Sequence, residues 1–342
     1  MGILKHLLLT GTLLLVAVSS QANQTFSSDR ADFRLETVAQ NLEHPWSLAF
    51  LPDGAMLVTE REGRLRMIRN GSLLEAPISG VPELVVSGQG GLLDIILHPD
   101  FKQNQVLFLS YAHRNREGMT TRVARARLSG DRLSDVEVIF EALPRSNGGR
   151  HFAGRMEFDR EGNLYVAVGD RGDMDRAQDN ADDAGGVHRI TTEGSPAPGN
   201  PFLDTGGVND TFYTTGNRNI QGMTIHPETG EIWSHEHGPR GGDEINIIRA
   251  GTDYGWPTIT YGIDYSGLPI TSKTSQEGMA QPLHYWDPSI APSGMAFYTG
   301  KEEDLLTDLG ERIRDVRMGP DGALWLLTDS PRGKVYRMVP VQ

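Results

Sequence analysis

The stretch SLAFLPDGAMLVTE at residues 47–60 holds two apolar runs separated by a Pro-Asp-Gly turn. Proline and glycine favour a tight turn, and each flanking run has the length and composition of a short β-strand. The same pattern returns four times, as LDIILHPDFKQNQVLFLSY from Leu93, RMEFDREGNLYVAVGD from Arg155, GMTIHPETGEIWSHE from Gly222 and RDVRMGPDGALWLLTD from Arg314. Five copies of one strand–turn–strand unit indicate an all-β repeat fold.

The spacing of these copies favours a β-propeller, because repeats of about 40–50 residues with paired strands are typical of propeller blades. The intervals are 47, 61, 67 and 93 residues, counted between the equivalent positions Pro52, Pro99, Arg160, Pro227 and Pro320. The last interval spans about two blades but holds only one further strand-like run, SGMAFYTG at 293–300. We therefore predict a six-bladed β-propeller with an incomplete sixth blade, formed by residues 23–342 as a single domain. A β-sandwich is the alternative.

The first 22 residues have the features of a cleaved signal peptide. Lys5 precedes an apolar run from Leu7 to Val18, and Ser20–Ala22 offers a small-residue cleavage site. The run is shorter than the ~20 apolar residues that a membrane-spanning helix needs. We therefore expect a periplasmic or secreted protein without a stable membrane span.

Composition narrows the classes of partner. The chain has no cysteine, so no disulfide stabilises it after export. Its net charge of −13 disfavours nucleic acid, whose phosphates would be repelled. The glycine-rich run SGQGGLL at 87–93 lacks the third glycine of a dinucleotide fingerprint, because Leu93 stands there.

Several polar segments lie between the predicted strands, where a propeller usually presents its binding residues. They are GGRHFAGR around His151, GDRGD around Asp170, GNRNIQG with Arg218 and Asn219, HEHGPRGGDEIN at 235–246 and ERIRDVR with Arg312 and Arg314. Together with GQGGLLDIILHPDF at 88–101 and DYGWP at 253–257, they resemble the soluble aldose sugar dehydrogenases that depend on pyrroloquinoline quinone (PQQ). The resemblance runs from about Leu35 to Tyr298 and from about Asp304 to Val339. It also implies a six-bladed propeller.

The resemblance implies that calcium accompanies the quinone. In that family the backbone carbonyls of a Gly-Pro pair, here Gly238 and Pro239, bind a calcium ion that holds the cofactor. Calcium prefers oxygen ligands, and a turn whose carbonyls are left unpaired supplies them. The resemblance also implies a structural calcium near Glu244 and Tyr254. A transition-metal pair formed by the two histidines of the His-Glu-His run at 235–237 is the alternative.

The resemblance also assigns the chemistry. His151 matches a general base that takes the proton from the sugar C1 hydroxyl while hydride passes to the quinone, which yields a lactone. Arg218, expected to be catalytic, and Asn219 match residues that approach the quinone oxygens, where charge accumulates. Asp170 matches a position near the sugar, although capping of an acidic loop is an equally simple role.

Three further residues are expected to bind the cofactor. Gln89 matches a cofactor-contacting glutamine, and Arg312 and Arg314 match arginines that contact the cofactor carboxylates. Planar guanidinium groups suit that task because they donate two parallel hydrogen bonds.

The sequence departs from the family after Gly300. Family members continue through further strands of the sixth blade and commonly carry a cofactor-binding lysine there. Here only Lys301–Glu311 separates Gly300 from Arg312, which one hairpin with ~5-residue strands would consume. We expect two strands and the usual lysine to be missing, and the sequence assigns no role to Lys301.

Three functions remain open at this point. The leading hypothesis is an exported quinoprotein that oxidises aldoses and passes electrons to an unidentified external acceptor. A calcium-dependent propeller lactonase is the second, although it gives Arg312 and Arg314 no clear task. The third is a catalytically impaired propeller that still binds a quinone, a sugar or a protein partner, because of the shortened sixth blade.

Overall fold

The computed structural model describes residues 25–29, 31–298 and 304–341, so the predicted signal peptide lies outside the described residues. The first half of the chain forms strands β1 (Thr25–Ser27), β2 (Asp32–Leu42), β3 (Pro45–Phe50), β4 (Met56–Glu60), β5 (Arg64–Arg69), β6 (Ser72–Leu73), β7 (Leu92–Leu97), β8 (Val106–Asn115), β9 (Gly118–Ser129), β10 (Arg132–Glu141), β11 (Met156–Phe158) and β12 (Leu164–Val168). The second half forms β13 (Gly186–Ile190), β14 (Phe212–Thr215), β15 (Ile220–Ile225), β16 (Ile232–Glu236), β17 (Asp243–Ile248), β18 (Thr252–Asp253), β19 (His284–Trp286), β20 (Ile313–Met318), β21 (Leu324–Thr328) and β22 (Gly333–Pro340).

Helix is confined to short turns in the described parts of the chain. They are one α-helical turn at Phe101–Asn104 and two 3-10 turns at Met174–Gln178 and Thr307–Leu309. Within the same ranges, no helix has the length and apolarity needed to cross a membrane.

The strands form five sheets, which are the blades of a propeller. Blade I contains β3–β6, blade II β7–β10, blade III β11–β14 with β18, blade IV β15–β17 with β19, and blade V β20–β22 with β2 and β1. Neighbouring strands are antiparallel except for the pair β14–β18. Blade V joins the two ends of the chain, because β2 pairs with β22 from Phe33–Pro340 to Leu42–Gly333. The predicted all-β propeller is therefore confirmed.

Each of the five sequence repeats forms the inner half of one blade. The repeated turns join the innermost strand to the second strand in every blade: β3 to β4, β7 to β8, β11 to β12, β15 to β16 and β20 to β21. The innermost strands pack in the order β20, β3, β7, β11 and β15. Most side chains of β3 and β7 are buried because blades I and II pack directly against each other, whereas Ile313 and Val316 of β20 are half-buried and Met318 is 39% exposed.

The predicted count of six blades is wrong, since the described residues form five. Residues 287–298 and 304–312 contain no strand, so SGMAFYTG does not start a further sheet within its described part. Instead this stretch lies between blades IV and V, where the Gly294 amide faces the Gln221 carbonyl at 3.4 Å and the Ser293 hydroxyl donates to the Arg314 carbonyl at 2.8 Å. We call residues 287–298 and 304–312, which lie between blades IV and V, the open junction. A single extended run has no hairpin partner here, and a sheet needs several paired strands for stability.

Candidate active site

A buried histidine–aspartate pair lies where the loops after blade II and within blade III meet. His151 Nδ1 donates to Asp170 Oδ1 at 2.6 Å. Asp170 also accepts hydrogen bonds from the Gly172 amide at 2.7 Å and from the Trp256 indole at 2.8 Å. His151 Nε2 makes no hydrogen bond to any described residue, so this nitrogen is the one available to a substrate.

Asp170 is a carboxylate that serves His151. Burial by itself would raise the pKa of Asp170, but the hydrogen bond and charge of His151 and the Gly172 amide hold it below its usual value. The side chain is 1% exposed and both of its oxygens are engaged within the protein. The structure therefore places Asp170 against Nδ1 of His151, with both of its oxygens bonded inside the protein, and its expected place near the sugar stays a prediction.

The loop that carries His151 is held in an unfavourable backbone conformation. His151, Ala153 and Arg171 have φ values of 52°, 52° and 61°, a region that favours glycine. The Arg171 guanidinium donates to the carbonyls of Gly148 and Arg150 and lies 3.4 Å from the centre of the Phe152 ring. These contacts fix the loop, and backbone strain of this kind is common at functional sites. The sequence offered no local signal for it.

A central pocket opens beside this loop. Four of the predicted cofactor residues line it, namely Gln89, Asn219, Arg312 and Arg314. The other lining residues were not among the predicted cofactor residues; they are His44, Trp46, Arg61, Leu93, Phe152, Ala153, Gln221, His237 and Asp329. Three arginines, several amides and two aromatic rings therefore surround one cavity.

Polar contacts connect the pocket to the base. The Gln89 side chain accepts a hydrogen bond from the His151 amide at 2.7 Å, and the Asn219 side chain accepts one from the Ala153 amide at 3.3 Å. Two predicted cofactor ligands thus also hold the backbone around His151. The pocket therefore lies beside the backbone of residues 151–153, although the His151 side chain is not part of its lining.

The two arginines from ERIRDVR differ in their surroundings. Arg314 is largely buried and donates to Asp329 at 2.6 Å, whereas the Arg312 side chain is 58% exposed and lies 3.7 Å from the same carboxylate. Asp329 also contacts His44 Nδ1 at 2.9 Å. The positive charge of this wall is therefore partly balanced, and Arg312 retains the freedom to turn toward an anionic ligand.

Arg218 does not line the central pocket with these residues. It lines a second, smaller cavity, and its Nη1 donates to the carbonyls of His237 at 2.8 Å and Gly238 at 3.1 Å. Its buried Nε has no hydrogen-bond partner among the described residues. Pro239 is buried and lines neither cavity. Of the predicted Gly-Pro pair, only Gly238 faces a cavity.

Two carboxylates face each other in the second cavity. Glu236 on β16 is paired with Glu244 on β17, and Tyr254 lies nearby. Burial, followed by the charge of Glu236, raises the pKa of Glu244 to about 8. The Tyr254 hydroxyl donates to the Ile247 carbonyl. If Tyr254 binds the structural calcium that the sequence predicts, its backbone oxygen would therefore have to be the ligand. The sequence analysis did not name Glu236 as a site residue, although the acidic residues on two successive predicted strands could have suggested that role.

The histidines of the His-Glu-His run hold the open junction in place. Nε2 of His235 lies 2.8 Å from the Gly294 carbonyl, and Nε2 of His237 lies 2.7 Å from the Pro292 carbonyl. Burial lowers the pKa of both imidazoles to about 4, so each is neutral and donates Nε2–H. Each Nε2 is therefore engaged with a backbone carbonyl, whereas the buried Nδ1 of His235 has no hydrogen-bond partner among the described residues. Among the described residues, no group of three or more histidine, cysteine or acidic side chains is arranged so that it could hold a metal ion.

Comparison with known proteins gives the family. A sequence model of the family described as "Glucose / Sorbosone dehydrogenase" matches residues 42–303 and 300–337. The chain belongs to this family. It is similar to the aldose sugar dehydrogenase YliI of Escherichia coli strain K12, with 41% identity over 347 residues that cover 91% of this chain and 94% of the relative.

Solved structures of the family agree with the fold. The apo-form of the soluble aldose sugar dehydrogenase from Escherichia coli superposes with a TM-score of 0.87 at 40% identity, covering 90% of this chain and 100% of that chain. The PQQ-bound aldose sugar dehydrogenase from Streptomyces coelicolor superposes with a TM-score of 0.72 at 28% identity, covering 90% and 99%.

The family match is split at the open junction. Its two stretches meet at residues 300–303, where the sequence predicts a missing segment. The alignment with the Escherichia coli relative has 347 positions but includes only 91% of the 342 residues here, so it contains positions that this chain lacks. The chain thus matches the glucose/sorbosone dehydrogenase family in two stretches that together span most of its length.

Proposed function

We propose that this chain is an exported PQQ-dependent aldose sugar dehydrogenase that oxidises the C1 hydroxyl of aldoses to lactones, with His151 as general base. The observation that carries the proposal is the His151–Asp170 pair beside a pocket walled by Arg312 and Arg314. Relatives that are named aldose sugar dehydrogenases, one of them bound to PQQ, support the substrate class and the cofactor.

The central pocket fits the chemistry of PQQ. The cofactor is a planar tricarboxylate with quinone oxygens. Arg61, Arg312 and Arg314 offer planar cationic donors for carboxylates, Gln89 and Asn219 offer amide groups, and the rings of Trp46 and Phe152 offer flat apolar walls. When bound there, PQQ would supply the two-electron acceptor for the hydride of the sugar.

The protein itself would control the proton. Asp170 is ionised and accepts Nδ1–H of His151, which leaves the lone pair of Nε2 directed away from the carboxylate. Nε2 would remove the proton of the sugar C1 hydroxyl, and Asp170 would stabilise the resulting imidazolium. Asp170 is therefore proposed as an orienting residue and not as a sugar ligand.

Calcium is proposed at the second cavity. Glu236 and Glu244 lie side by side in a buried position, where burial and the charge of Glu236 raise the pKa of Glu244 to about 8, so a cation bound there would favour the ionised form of both groups. The Gly238 carbonyl accepts one hydrogen bond from Arg218, so one of its two lone pairs remains for a cation. Because Arg218 already binds this turn, its proposed contact with the quinone requires it to turn toward the central pocket.

The decisive experiment is reconstitution. The purified protein should bind PQQ with Ca²⁺ and then reduce an artificial dye when aldoses are added. Arg314→Met should weaken PQQ binding, whereas Arg189→Met, a change of a buried arginine paired with Asp159 in blade III, should leave it intact. PQQ binding without aldose-dependent reduction would favour the impaired propeller. Lactone hydrolysis without PQQ would favour a lactonase. Export is tested separately by fractionating cells that express the chain with and without residues 1–22.

A further inference from the structure

A single buried arginine lies at the centre of the ring of blades. Arg155 directly precedes β11 and is 1% exposed. Its Nε donates to the Gln221 carbonyl at 2.6 Å, and its Nη2 donates to the Arg314 carbonyl at 3.3 Å. Gln221 is on β15 of blade IV and Arg314 is on β20 of blade V. One side chain therefore spans the open junction from the inside.

The same guanidinium reaches the remaining blades. Its Nη1 lies 3.0 Å from Asp315 Oδ1 on β20 and 3.4 Å from Asp94 Oδ1 on β7. Its central carbon lies 4.1 Å from the ring centre of Trp46 on β3. Arg155 thus contacts the innermost strand of each of the other four blades. No role for this residue follows from its sequence motif.

We propose that Arg155 is a positioning residue that holds blades IV and V together across the open junction and thereby fixes the wall of the central pocket. Gln221 and Arg314, whose carbonyls it binds, both line that pocket. The effect on the cofactor rests on the proposed function, whereas the effect on blade separation does not.

The other links between blades IV and V are indirect, because they pass through the open junction, which His235 and His237 also hold. The Gly294 amide reaches the Gln221 carbonyl only at 3.4 Å, whereas Arg155 Nε reaches the same oxygen at 2.6 Å. Ser293 is tied to blade V through the Arg314 carbonyl. A charged, desolvated donor makes stronger hydrogen bonds than a neutral amide.

When Arg155 is removed, its acidic partners remain paired with Arg317, so we expect the variant still to fold. Arg317 Nη2 lies 3.0 Å from Asp94 Oδ1, and Arg317 Nε lies 2.9 Å from Asp315 Oδ2. Arg155→Met would therefore remove the bridge without leaving either carboxylate alone. Arg155→Lys keeps the charge but replaces a wide planar fork by one compact donor group, which cannot reach the carbonyls of both blades at once.

The first test measures the separation of blades IV and V. Because the chain has no cysteine, spin labels can be attached only at Glu228→Cys and Pro320→Cys, two exposed positions in the β15–β16 and β20–β21 turns. We expect Arg155→Met to lengthen and broaden the label–label distance distribution, and Arg155→Lys to do so to a smaller extent. Arg189→Met is the matched control and should leave the distribution unchanged. Identical distributions in the Arg155 and Arg189 variants would overturn the proposal.

The second test measures PQQ affinity by quenching of tryptophan fluorescence. Arg155→Met should weaken binding by about tenfold or more, the equivalent of one lost hydrogen bond to a charged group, while the turnover of the PQQ-bound fraction changes less. A variant that loses thermal stability but keeps PQQ affinity and blade separation would make Arg155 merely structural. If the unmodified protein does not bind PQQ, the proposed function fails, and the distance measurement still decides the role of Arg155.

Discussion

Neighbouring blades are held together in different ways at the junction between blades I and II and at the open junction between blades IV and V. At the first, β3 and β7 pack directly and share an apolar cluster that includes the fully buried Leu57, Leu92 and Leu109. At the second, residues 287–298 and 304–312 between the blades contain no strand, and Ile290 and Tyr298 are 57% and 65% exposed.

Polar side chains replace packing at the open junction. Asp243 accepts hydrogen bonds from the amides of Ile290 and Ala291 at 2.7 Å and from the Ser289 hydroxyl, while His235 and His237 bind the carbonyls that follow. In a fold built from repeats, each unit is stabilised mainly by its neighbours. The comparison shows that hydrogen bonds can satisfy the backbone where strands are missing, although they leave apolar surface uncovered.

The candidate site is divided in the same way. His151 and Asp170 lie at blades II and III, on the side of the ring away from the open junction, which we call the closed side. Arg312 and Arg314 adjoin the open junction. We therefore expect changes on the closed side to affect turnover and changes at the open junction to affect cofactor affinity.

The largest effect is expected at the base on the closed side. His151→Gln should lower turnover by about 10²–10⁴-fold, the usual contribution of general-base catalysis, because glutamine cannot accept the proton. The check is the dye-reduction rate at saturating aldose, with PQQ affinity as the control that must stay close to wild type. Turnover near the wild-type value would remove His151 from the mechanism.

The next largest effect is expected on stability, at the packed junction between blades I and II. Leu109→Ala, in the apolar cluster of the closed side, should lower the free energy of unfolding by about 2–5 kcal/mol because it leaves a cavity in a packed core. Urea denaturation monitored by tryptophan fluorescence measures this loss. A loss below about 1 kcal/mol would show that the closed junction is not tightly packed.

Calcium removal should act on blade IV beside the open junction. A ligand at a hundred times its Kd stabilises the native state by about 2.7 kcal/mol, so chelation should lower the melting temperature and release PQQ. Zn²⁺ should not restore either property, because the cavity offers oxygens and no thiolate. The Glu244→Gln variant should respond less to chelation. Full retention of PQQ after exhaustive chelation would contradict the calcium assignment.

Restoring the missing strands should make the two junctions more alike. Insertion of a relative's strand segment between Gly300 and Lys301, which lie outside the described residues, should tighten PQQ binding by about tenfold to a hundredfold. The reason is that the segment returns a lysine whose hydrogen bond to a carboxylate contributes about 1.5–3 kcal/mol. A rise in melting temperature should accompany it. Equal PQQ affinity with and without the insert would show that the shortened region is harmless.

The smallest effect is expected for the exposed apolar side chains of the open junction. Ile290→Ser should change the free energy of unfolding by no more than about 0.5 kcal/mol, because the side chain already faces solvent. The same urea titration, run beside Leu109→Ala, gives the comparison. A loss of 2 kcal/mol or more would mean that Ile290 is buried in solution.

The sequence by itself determined the strand–turn–strand units and four of the residues that line the pocket. All five repeated turns join the first two strands of a blade, because turn residues and apolar alternation act over a few neighbouring positions. Gln89, Asn219, Arg312 and Arg314 were also predicted together, and the structure places them around one cavity. These residues stand in recognisable segments that keep their position relative to the strands.

Only the tertiary structure decided how many blades form and which polar groups meet. The sixth blade fails because a lone run such as 293–298 becomes a strand only when another strand supplies hydrogen bonds. Asp170 binds His151, and Arg218 binds the Gly238 carbonyl. Arg155 links five blades through contacts with residues that are 61 to 160 positions away in sequence. Such pairings depend on how whole sheets stack, and no pattern within a single segment specifies them.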